Sequence, residues 1–146
     1  MRIALGSDER TGLTDALVED LRGRGHEVVL VGPPGGQELG WADVGRRVGE
    51  LVAKGETDTA VLCCWTGTGA SIAANKVAGV RAALCGDGPT AAGARRWNDA
   101  NVLALSLRAT SEAELAEILD AWFGTKPSGE ADDRANVGHV AELDAR

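Results

Sequence analysis

A chain of 146 residues with 44% hydrophobic side chains can bury one hydrophobic core, so we expect a single domain over 1–146 without disulfides or structural metal. The formal net charge of −7 and the pI near 4.8 exclude the basic surface of a nucleic-acid-binding protein. No apolar run reaches the roughly 18 to 20 residues of a membrane span, and the opening MRIALGSDER lacks the features of a signal peptide. The sequence therefore predicts a cytoplasmic protein that binds neither nucleic acid nor a membrane.

Short apolar runs alternate with segments of helical period along the chain. Strands are predicted, in order, over 2–7, 27–32, 59–64, 80–85 and 101–106. Helices are predicted over 11–25, 42–54, 69–77, 89–97 and 112–123. This alternation indicates a parallel sheet covered on both faces, because each right-handed crossover lays its helix on one side of the sheet. We therefore expect a three-layer, Rossmann-like α/β fold with five parallel strands.

A sixth helix is predicted beyond the last strand, over about 130–146, after a break at 125–129. Val137, Val140 and Leu143 fall on one stripe of this helix. The helix has no further strand to cover. We therefore expect it to pack on a neighbouring subunit, as the interface helix of a homodimer or a dimer of dimers.

The stretch LCCWTGTGASIAANK, residues 62–76, places a glycine turn at the carboxyl end of the third predicted strand. The turn is not a dinucleotide fingerprint, because the third glycine position holds Ile72, and it lacks the Gly-Lys-Ser/Thr of a P-loop. Its backbone amides and the hydroxyls of Thr66, Thr68 and Ser71 precede or open a helix, which suits an anion or a developing oxyanion. The alternative is a tight turn without function, but ligands of parallel sheets bind at this end of the strands.

The three cysteines are predicted to be free thiols. Cys63 and Cys64 are adjacent on a strand and point to opposite faces, and no CxxC pair or histidine cluster accompanies them, so no metal site is expected. Cys63 and Cys85 are interpreted as small buried hydrophobic residues. Cys64 ends its strand against the positive end of a helix, which favours a thiolate that acts as base or nucleophile. His26 is interpreted as structural and His139 as solvated, and a thiol without a histidine indicates proton abstraction more than acyl transfer.

Four segments closely resemble the ribose-5-phosphate isomerase B family, which includes the galactose-6-phosphate isomerase subunits. They are GSD (6–8), GHEV (25–28), TGTGASIAANKVAGVRAALC (66–85) and NDANVLAL (98–105). The resemblance implies dimers or tetramers with active sites between subunits, no metal or other cofactor, and aldose–ketose isomerisation of a sugar phosphate through a cis-enediolate. It further implies that Cys64 removes the proton beside the carbonyl and that the loop amides of 66–71 hold the enediolate oxygen.

The same resemblance assigns roles to further residues. Asp8 matches an aspartate that binds a substrate hydroxyl, Asn98 an asparagine at the reacting end, and Arg108 and Arg134 phosphate-binding arginines. Thr66 joins Cys64 and Asp8 as the predicted catalytic set. The predicted substrate-binding set is Glu9, Trp65, Gly67, Thr68, Gly69, Ser71, Trp97, Asn98, Arg108, Glu130 and Arg134.

Four positions depart from the family pattern. Trp65 replaces a glycine, Trp97 replaces the histidine credited with opening the sugar ring, and Glu9 and Glu130 replace a histidine and an arginine near the phosphate. The loss of each donor removes roughly 1.5 to 3 kcal/mol of binding free energy for a phosphate, and a carboxylate in its place also repels the phosphate.

These departures predict an isomerase whose substrate is not ribose 5-phosphate, unless a nearby arginine such as Arg10 or Arg95 supplies the missing donors. The candidates are a tetrose phosphate and a non-phosphorylated sugar. The sequence leaves open a second function: a paralogue that binds a sugar-like ligand, or catalyses another enolisation, without isomerising a sugar phosphate.

Overall fold

Strands and helices alternate along residues 1–145, the part of the chain that this computed structural model describes. The strands are β1 (Arg2–Ser7), β2 (Glu27–Val31), β3 (Thr59–Cys64), β4 (Ala82–Leu84) and β5 (Val102–Ser106). The α-helices are α1 (Gly12–Gly23), α2 (Trp41–Ala53), α3 (Thr68–Asn75), α4 (Gly88–Asn98), α5 (Glu112–Gly124) and α6 (Ala131–Glu142). Two short 3-10 turns are also present: Pro33–Gly35 was not among the predicted elements, whereas Leu143–Ala145 falls within the helix predicted over about 130–146.

The five strands form one parallel sheet in the order β2-β1-β3-β5-β4. The three central strands, β1, β3 and β5, are buried on both faces of the sheet. Their sequences are therefore continuous apolar runs and do not alternate apolar with polar residues. In the register of the sheet, Ser7 of β1 lies beside Cys63, and Cys64 of β3 lies beside Ser106. The carboxyl ends of β1, β3 and β5 therefore meet at one edge of the sheet.

Helices cover both faces of the sheet and confirm the predicted three-layer α/β fold. On one face α1, α4 and α5 pack through residues such as Leu17, Ala91 and Ile118. On the other face α2 and α3 pack through residues such as Val44 and Ala70. The helix after β1 thus leaves toward one face and the helix after β3 toward the other, which places the topological switch point between these two strand ends.

The edge strand β4 is shorter than the predicted 80–85, and side chains bond to the backbone at its start. Asn75 Nδ2 donates to the carbonyl oxygen of Ala82 at 2.9 Å, and the Ala82 amide donates to Asn75 Oδ1 at 2.7 Å. The Arg81 amide donates to Asn101 Oδ1 at 2.7 Å. These bonds take groups that a neighbouring strand would otherwise use.

The predicted C-terminal helix is present as α6 and the 3-10 turn that follows it. It packs beside α4, and the Gly79 amide donates to Asp144 Oδ2 at 2.8 Å. None of its residues is buried, and Val140 and Leu143 of the predicted stripe are 46% and 65% exposed. Along residues 1–145, no helix combines the length and apolarity that crossing a membrane requires.

Candidate active site

The switch point brings together residues that lie far apart in the sequence. Asp8 follows β1, Cys64 ends β3 and Arg108 follows β5, and these three strands are neighbours in the sheet. Thr66, Ser106 and Arg108 line a depression of about 310 Å³ at this edge. Ligands of open parallel sheets bind in such a crevice outside the carboxyl ends of the strands.

The cysteines occupy different environments. Cys63 packs in the core on the side of α1, α4 and α5, whereas Cys64 lies on the side of α2 and α3 and is 5% exposed. Burial, with the nearby charges of Cys64 and Asp8, raises the pKa of the Cys63 thiol to about 12. Burial, with the charge of Asp87, raises the pKa of Cys85 to about 11. Cys63 and Cys85 therefore remain protonated at neutral pH.

The turn after Cys64 contains two glycines at which a side chain would meet close neighbours. Gly67 has a φ of 78°, in the left-handed region. A Cβ there would lie 2.9 Å from the carbonyl oxygen of Leu105 and 2.5 Å from the Leu84 side chain. A Cβ on Gly69 would lie 2.9 Å from the ring of Trp41. The glycines on either side of Thr68 therefore let the turn pack closely against β5 and α2.

The turn leads directly into the positive end of α3. No side chain among the described residues caps this helix, and the first-turn amide of Ser71 bonds only weakly to the Gly67 carbonyl, at 3.3 Å. The hydroxyls of Thr66 and Thr68 lie 2.7 Å apart at the same place. The helix start therefore groups amides and hydroxyls in an arrangement that suits an anion.

Ser106 anchors the segment that carries Cys64, and sequence reasoning missed it. Its hydroxyl donates to the carbonyl oxygen of Trp65 at 3.0 Å, and the Arg108 amide donates to the same oxygen at 3.0 Å. The Leu107 amide donates to the carbonyl oxygen of Cys64 at 3.0 Å. The Trp65 indole itself is exposed. The signal in the sequence was a polar residue ending the otherwise apolar run NVLALS.

The turn after β1 presents two carboxylates beside the cysteine strand. The Ser7 hydroxyl donates to the Glu9 carbonyl at 2.6 Å and accepts from the Glu9 amide at 3.2 Å. Glu9 is exposed, whereas Asp8 Oδ1 is buried without a hydrogen-bond partner among the described residues. Buried carboxylate oxygens are costly unless they accept a hydrogen bond. Asp8 is therefore prepared to accept one from a bound hydroxyl.

The remaining predicted site residues form a second group on the far side of β4. Trp97 and Asn98, at the end of α4, line a depression beside the edge strand, and Arg134 of α6 lines another with Trp97. Glu130 is the N-cap residue of α6, but its side chain makes no capping bond. One chain therefore presents Thr66 and Arg108 in one depression and Arg134 in another.

The two arginines suggested as replacement phosphate donors are engaged elsewhere. Arg10 Nε donates to Asp15 Oδ1 at 3.0 Å. Arg95 donates to the Ala100 carbonyl, pairs with Asp99 at 3.5 Å and stacks on the ring of Trp122. Neither residue lines the depressions that hold the predicted site residues.

The histidines lie away from Cys64. His26 precedes β2 at the opposite edge of the sheet, where its Nδ1 lies 3.1 Å from the terminal amine of Met1 and its ring packs on Phe123. Burial and the nearby positive charges lower the pKa of His26. His139 is exposed on α6. Across 1–145, no group of three His, Cys, Asp or Glu residues is placed to hold a metal ion.

Comparisons with known proteins agree with the fold. The model of a family described as Ribose/Galactose Isomerase matches residues 3–139. Ribose-5-phosphate isomerase B of Escherichia coli K12 is 40% identical over 131 residues, covering 88% of this chain and 87% of that protein. D-erythrulose-4-phosphate isomerase of Pectobacterium atrosepticum is 33% identical, with coverage of 88% and 86%. The solved structure of Clostridium thermocellum ribose-5-phosphate isomerase B matches with a TM-score of 0.92 and 37% identity, covering 99% of this chain and 98% of that one.

Proposed function

This chain belongs to the ribose/galactose isomerase family of sugar-phosphate isomerases, and from that premise we propose that it interconverts an aldose and a ketose through a cis-enediolate, with Cys64 as the base. One observation carries the proposal. Cys64 is the last residue of a central strand, beside the switch point, and the uncapped amides of α3 follow it within one turn.

The proposed reaction moves two protons and leaves the oxidation state of the whole sugar unchanged. The Cys64 thiolate takes the proton from the hydroxyl-bearing carbon beside the aldose carbonyl and later returns it to the former carbonyl carbon. The hydroxyl proton moves between the two oxygens of the enediolate. The amides and hydroxyls of Thr66 to Ser71 stabilise the developing oxyanion, and Asp8 accepts a hydrogen bond from a substrate hydroxyl.

We propose a tetrose 4-phosphate as the preferred substrate and a non-phosphorylated sugar as the second candidate. A tetrose phosphorylated on its terminal oxygen cannot close a five-membered ring through that oxygen, so it needs no ring-opening histidine at the position of Trp97. The relative named D-erythrulose-4-phosphate isomerase supports this choice. Glu9 and Glu130 support the second candidate, because carboxylates repel phosphate and accept hydrogen bonds from hydroxyls.

We further propose that a second copy completes each site. The group formed by Trp97, Asn98, Glu130 and Arg134 lies apart from Cys64 within one chain, and α6 leaves apolar side chains exposed. A homodimer or a dimer of dimers in which α6 docks on the partner brings the two groups together.

The test is a comparison of substrates at equal enzyme concentration. Kinetics are measured on erythrose and erythrulose 4-phosphates, ribose 5-phosphate and free erythrose, and deuterium exchange from solvent is followed by mass spectrometry. We expect exchange and turnover of the tetrose phosphates, and a kcat/KM on ribose 5-phosphate well below the roughly 10⁴ M⁻¹s⁻¹ of ordinary enzymes. Efficient turnover of ribose 5-phosphate alone would contradict the substrate. Binding without any deuterium exchange would contradict the isomerase and favour the paralogue that only binds a ligand.

A further inference from the structure

We propose that Arg96 and Arg134 together form the phosphate subsite of this chain, with Arg96 supplying the donor that Glu130 lacks. The inference rests on the proposed function for the nature of the substrate and deepens it, since it favours a phosphorylated sugar over a free one. The subsite is nevertheless defined by anion binding, which can be measured without turnover.

The two arginines meet in one depression between the last turn of α4 and the first turns of α6. Its volume is about 460 Å³. Both arginines line it, together with Trp97, Ser128 and Asp133. A guanidinium is a planar, permanently charged group with five donors, which matches the geometry of phosphate oxygens. Two such groups on one depression are the pattern expected of a site for a dianion.

Both guanidinium groups are available for a ligand. Within residues 1–145, no carboxylate lies within 4.0 Å of Arg96 or Arg134, whereas Arg10, Arg81 and Arg95 are all paired with aspartates. An arginine that is already paired must break that pair before it can bind phosphate. Arg96 and Arg134 carry no such cost.

Arg96 is exposed, and one contact to its side chain and one to its backbone restrict its position. Its guanidinium carbon lies 6.0 Å from the centroid of the Trp97 ring, a cation–π arrangement. Its carbonyl oxygen accepts from the Ser128 amide at 2.8 Å, which ties the end of α4 to the segment before α6. Trp97, which replaces the family histidine, thus gives Arg96 a flat surface to rest on. This partial ordering reduces the entropy lost when an anion binds.

Two acidic residues line the same depression, and they differ in their partners. Asp99 is shared by Arg81 and Arg95, each at 3.5 Å. Asp133 has no basic partner within salt-bridge distance among the described residues and lies in the first turn of α6. The charge of Asp99 is balanced by Arg81 and Arg95. Arg96 and Arg134 therefore leave the depression with a net positive charge, and Asp133 lowers that charge.

The direct test is calorimetric titration of the full chain with inorganic phosphate. We expect Arg96→Gln and Arg134→Gln each to weaken binding about 10- to 100-fold, as the loss of a charge-assisted contact requires. Asp133→Asn removes an opposing charge and tightens binding. Arg22→Gln, an exposed arginine of α1, is the matched control and changes binding less than 2-fold, roughly the scatter of a surface change. Restoring the family arginine with Glu130→Arg in the Arg96→Gln background recovers phosphate binding.

Kinetics separate a binding role from a structural one. On a tetrose 4-phosphate, Arg96→Gln raises KM and leaves kcat nearly unchanged, while deuterium exchange into free erythrose is unaffected. Saturable phosphate binding that is equal in wild type, Arg96→Gln and Arg22→Gln overturns the subsite, and so does the absence of phosphate binding to the wild type. Phosphate binding that depends on Arg96 without turnover of any sugar supports the subsite and contradicts the proposed isomerase. If wild type and Arg96→Gln turn over a phosphorylated sugar equally well, the result supports the proposed isomerase and contradicts the subsite.

Discussion

Ser106 and Trp65 are joined by a hydrogen bond of 3.0 Å between the serine hydroxyl and the tryptophan carbonyl oxygen. The same hydroxyl accepts from the Ala109 amide at 3.2 Å, so one side chain ties the end of β5 to the residue that follows the candidate base. Because Thr66 and the glycine turn come next, the bond fixes where the amides that we propose to bind the oxyanion begin.

Replacing Ser106 by alanine removes this tie without touching the reacting groups. We expect kcat to fall roughly 2- to 10-fold, the effect of one neutral hydrogen bond, with a smaller change in KM. Ser106→Thr keeps the hydroxyl and serves as the conservative control. Steady-state kinetics on the preferred sugar give both values. An alanine variant as active as the threonine variant would show that Ser106 positions nothing.

Substitution of the cysteines separates the base from the packing residues. Cys64→Ala should lower turnover at least about 100-fold, the usual scale of losing a general base, because no other side chain is proposed to take the proton. Cys85→Ala removes a buried thiol from the core and leaves turnover within a few-fold of wild type. Both variants are compared by kinetics and by solvent deuterium exchange. Wild-type activity in Cys64→Ala would refute the assignment of the base.

The left-handed backbone at Gly67 makes this position intolerant of any side chain. Gly67→Ala adds strain of about 1–2 kcal/mol and drives a methyl group toward the Leu105 carbonyl, so we expect a total loss above about 2 kcal/mol. Gly23→Ala, in the last turn of α1 with open space around it, is the matched control. It should be neutral or stabilise the protein by up to about 1 kcal/mol. Urea unfolding measures both, and equal stabilities would contradict the packing described for the turn.

The buried thiol of Cys63 makes the stability of the protein sensitive to alkaline pH. Its pKa is raised by burial from 9.0 to about 12, so above pH 9 the unfolded chain loses this proton while the folded chain keeps it. The contribution is complete below pH 9 and declines by about 1.4 kcal/mol per pH unit up to about pH 12.

Cys63→Ala should remove this part of the alkaline decline, although the small cavity lowers stability at neutral pH. Urea unfolding at several pH values from 7 upward gives the difference between the two proteins. The sequence contains no tyrosine, so no phenol titrates in the same range. A constant difference across the range would show that Cys63 ionises equally in the folded and unfolded chains.

A shared active site can be tested by mixing two variants that are each impaired at low substrate concentration. Cys64→Ala and Arg134→Gln damage different groups, so a mixed dimer contains one site with both changes and one site with neither. After unfolding and refolding together, random pairing restores roughly a quarter of the wild-type sites. Sedimentation confirms the dimer, and each variant refolded alone is the control. A fully active monomer, or no recovery on mixing, would refute the shared site.

The elements of the sheet were predictable where burial was complete. β3 occupies the predicted 59–64, because every one of its residues is buried and apolar runs of that length indicate strands. The start of α1 was predictable for a different reason: it depends on neighbouring residues in the sequence, since Thr11 and Thr14 form a capping box. β4 is shorter than its prediction, and the Asn75 and Asn101 side chains that bond to its start come from other parts of the chain, which a local pattern does not show.

The candidate site was predictable in the same uneven way. The place of Cys64 follows from the end of a strand and a glycine turn, both of which are local patterns. The roles of Ser106 and Arg96 depend on which elements lie side by side, and neither strand register nor the approach of α6 to α4 can be inferred from spacing along the chain. The sequence also suggested Arg10 and Arg95 as donors, but their partners become visible only in the folded chain.

The double hydrogen bond between Asn75 and Ala82 has a consequence for how copies of this chain can assemble. An exposed edge strand ordinarily invites another chain to add to the sheet, which leads to fibrils or to a sheet that runs through two subunits. Here the outward amide and carbonyl of Ala82 are both occupied from within the chain, and β4 is only three residues long. A continuous intersubunit sheet at β4 is therefore disfavoured, and copies that meet at this edge must do so through side chains.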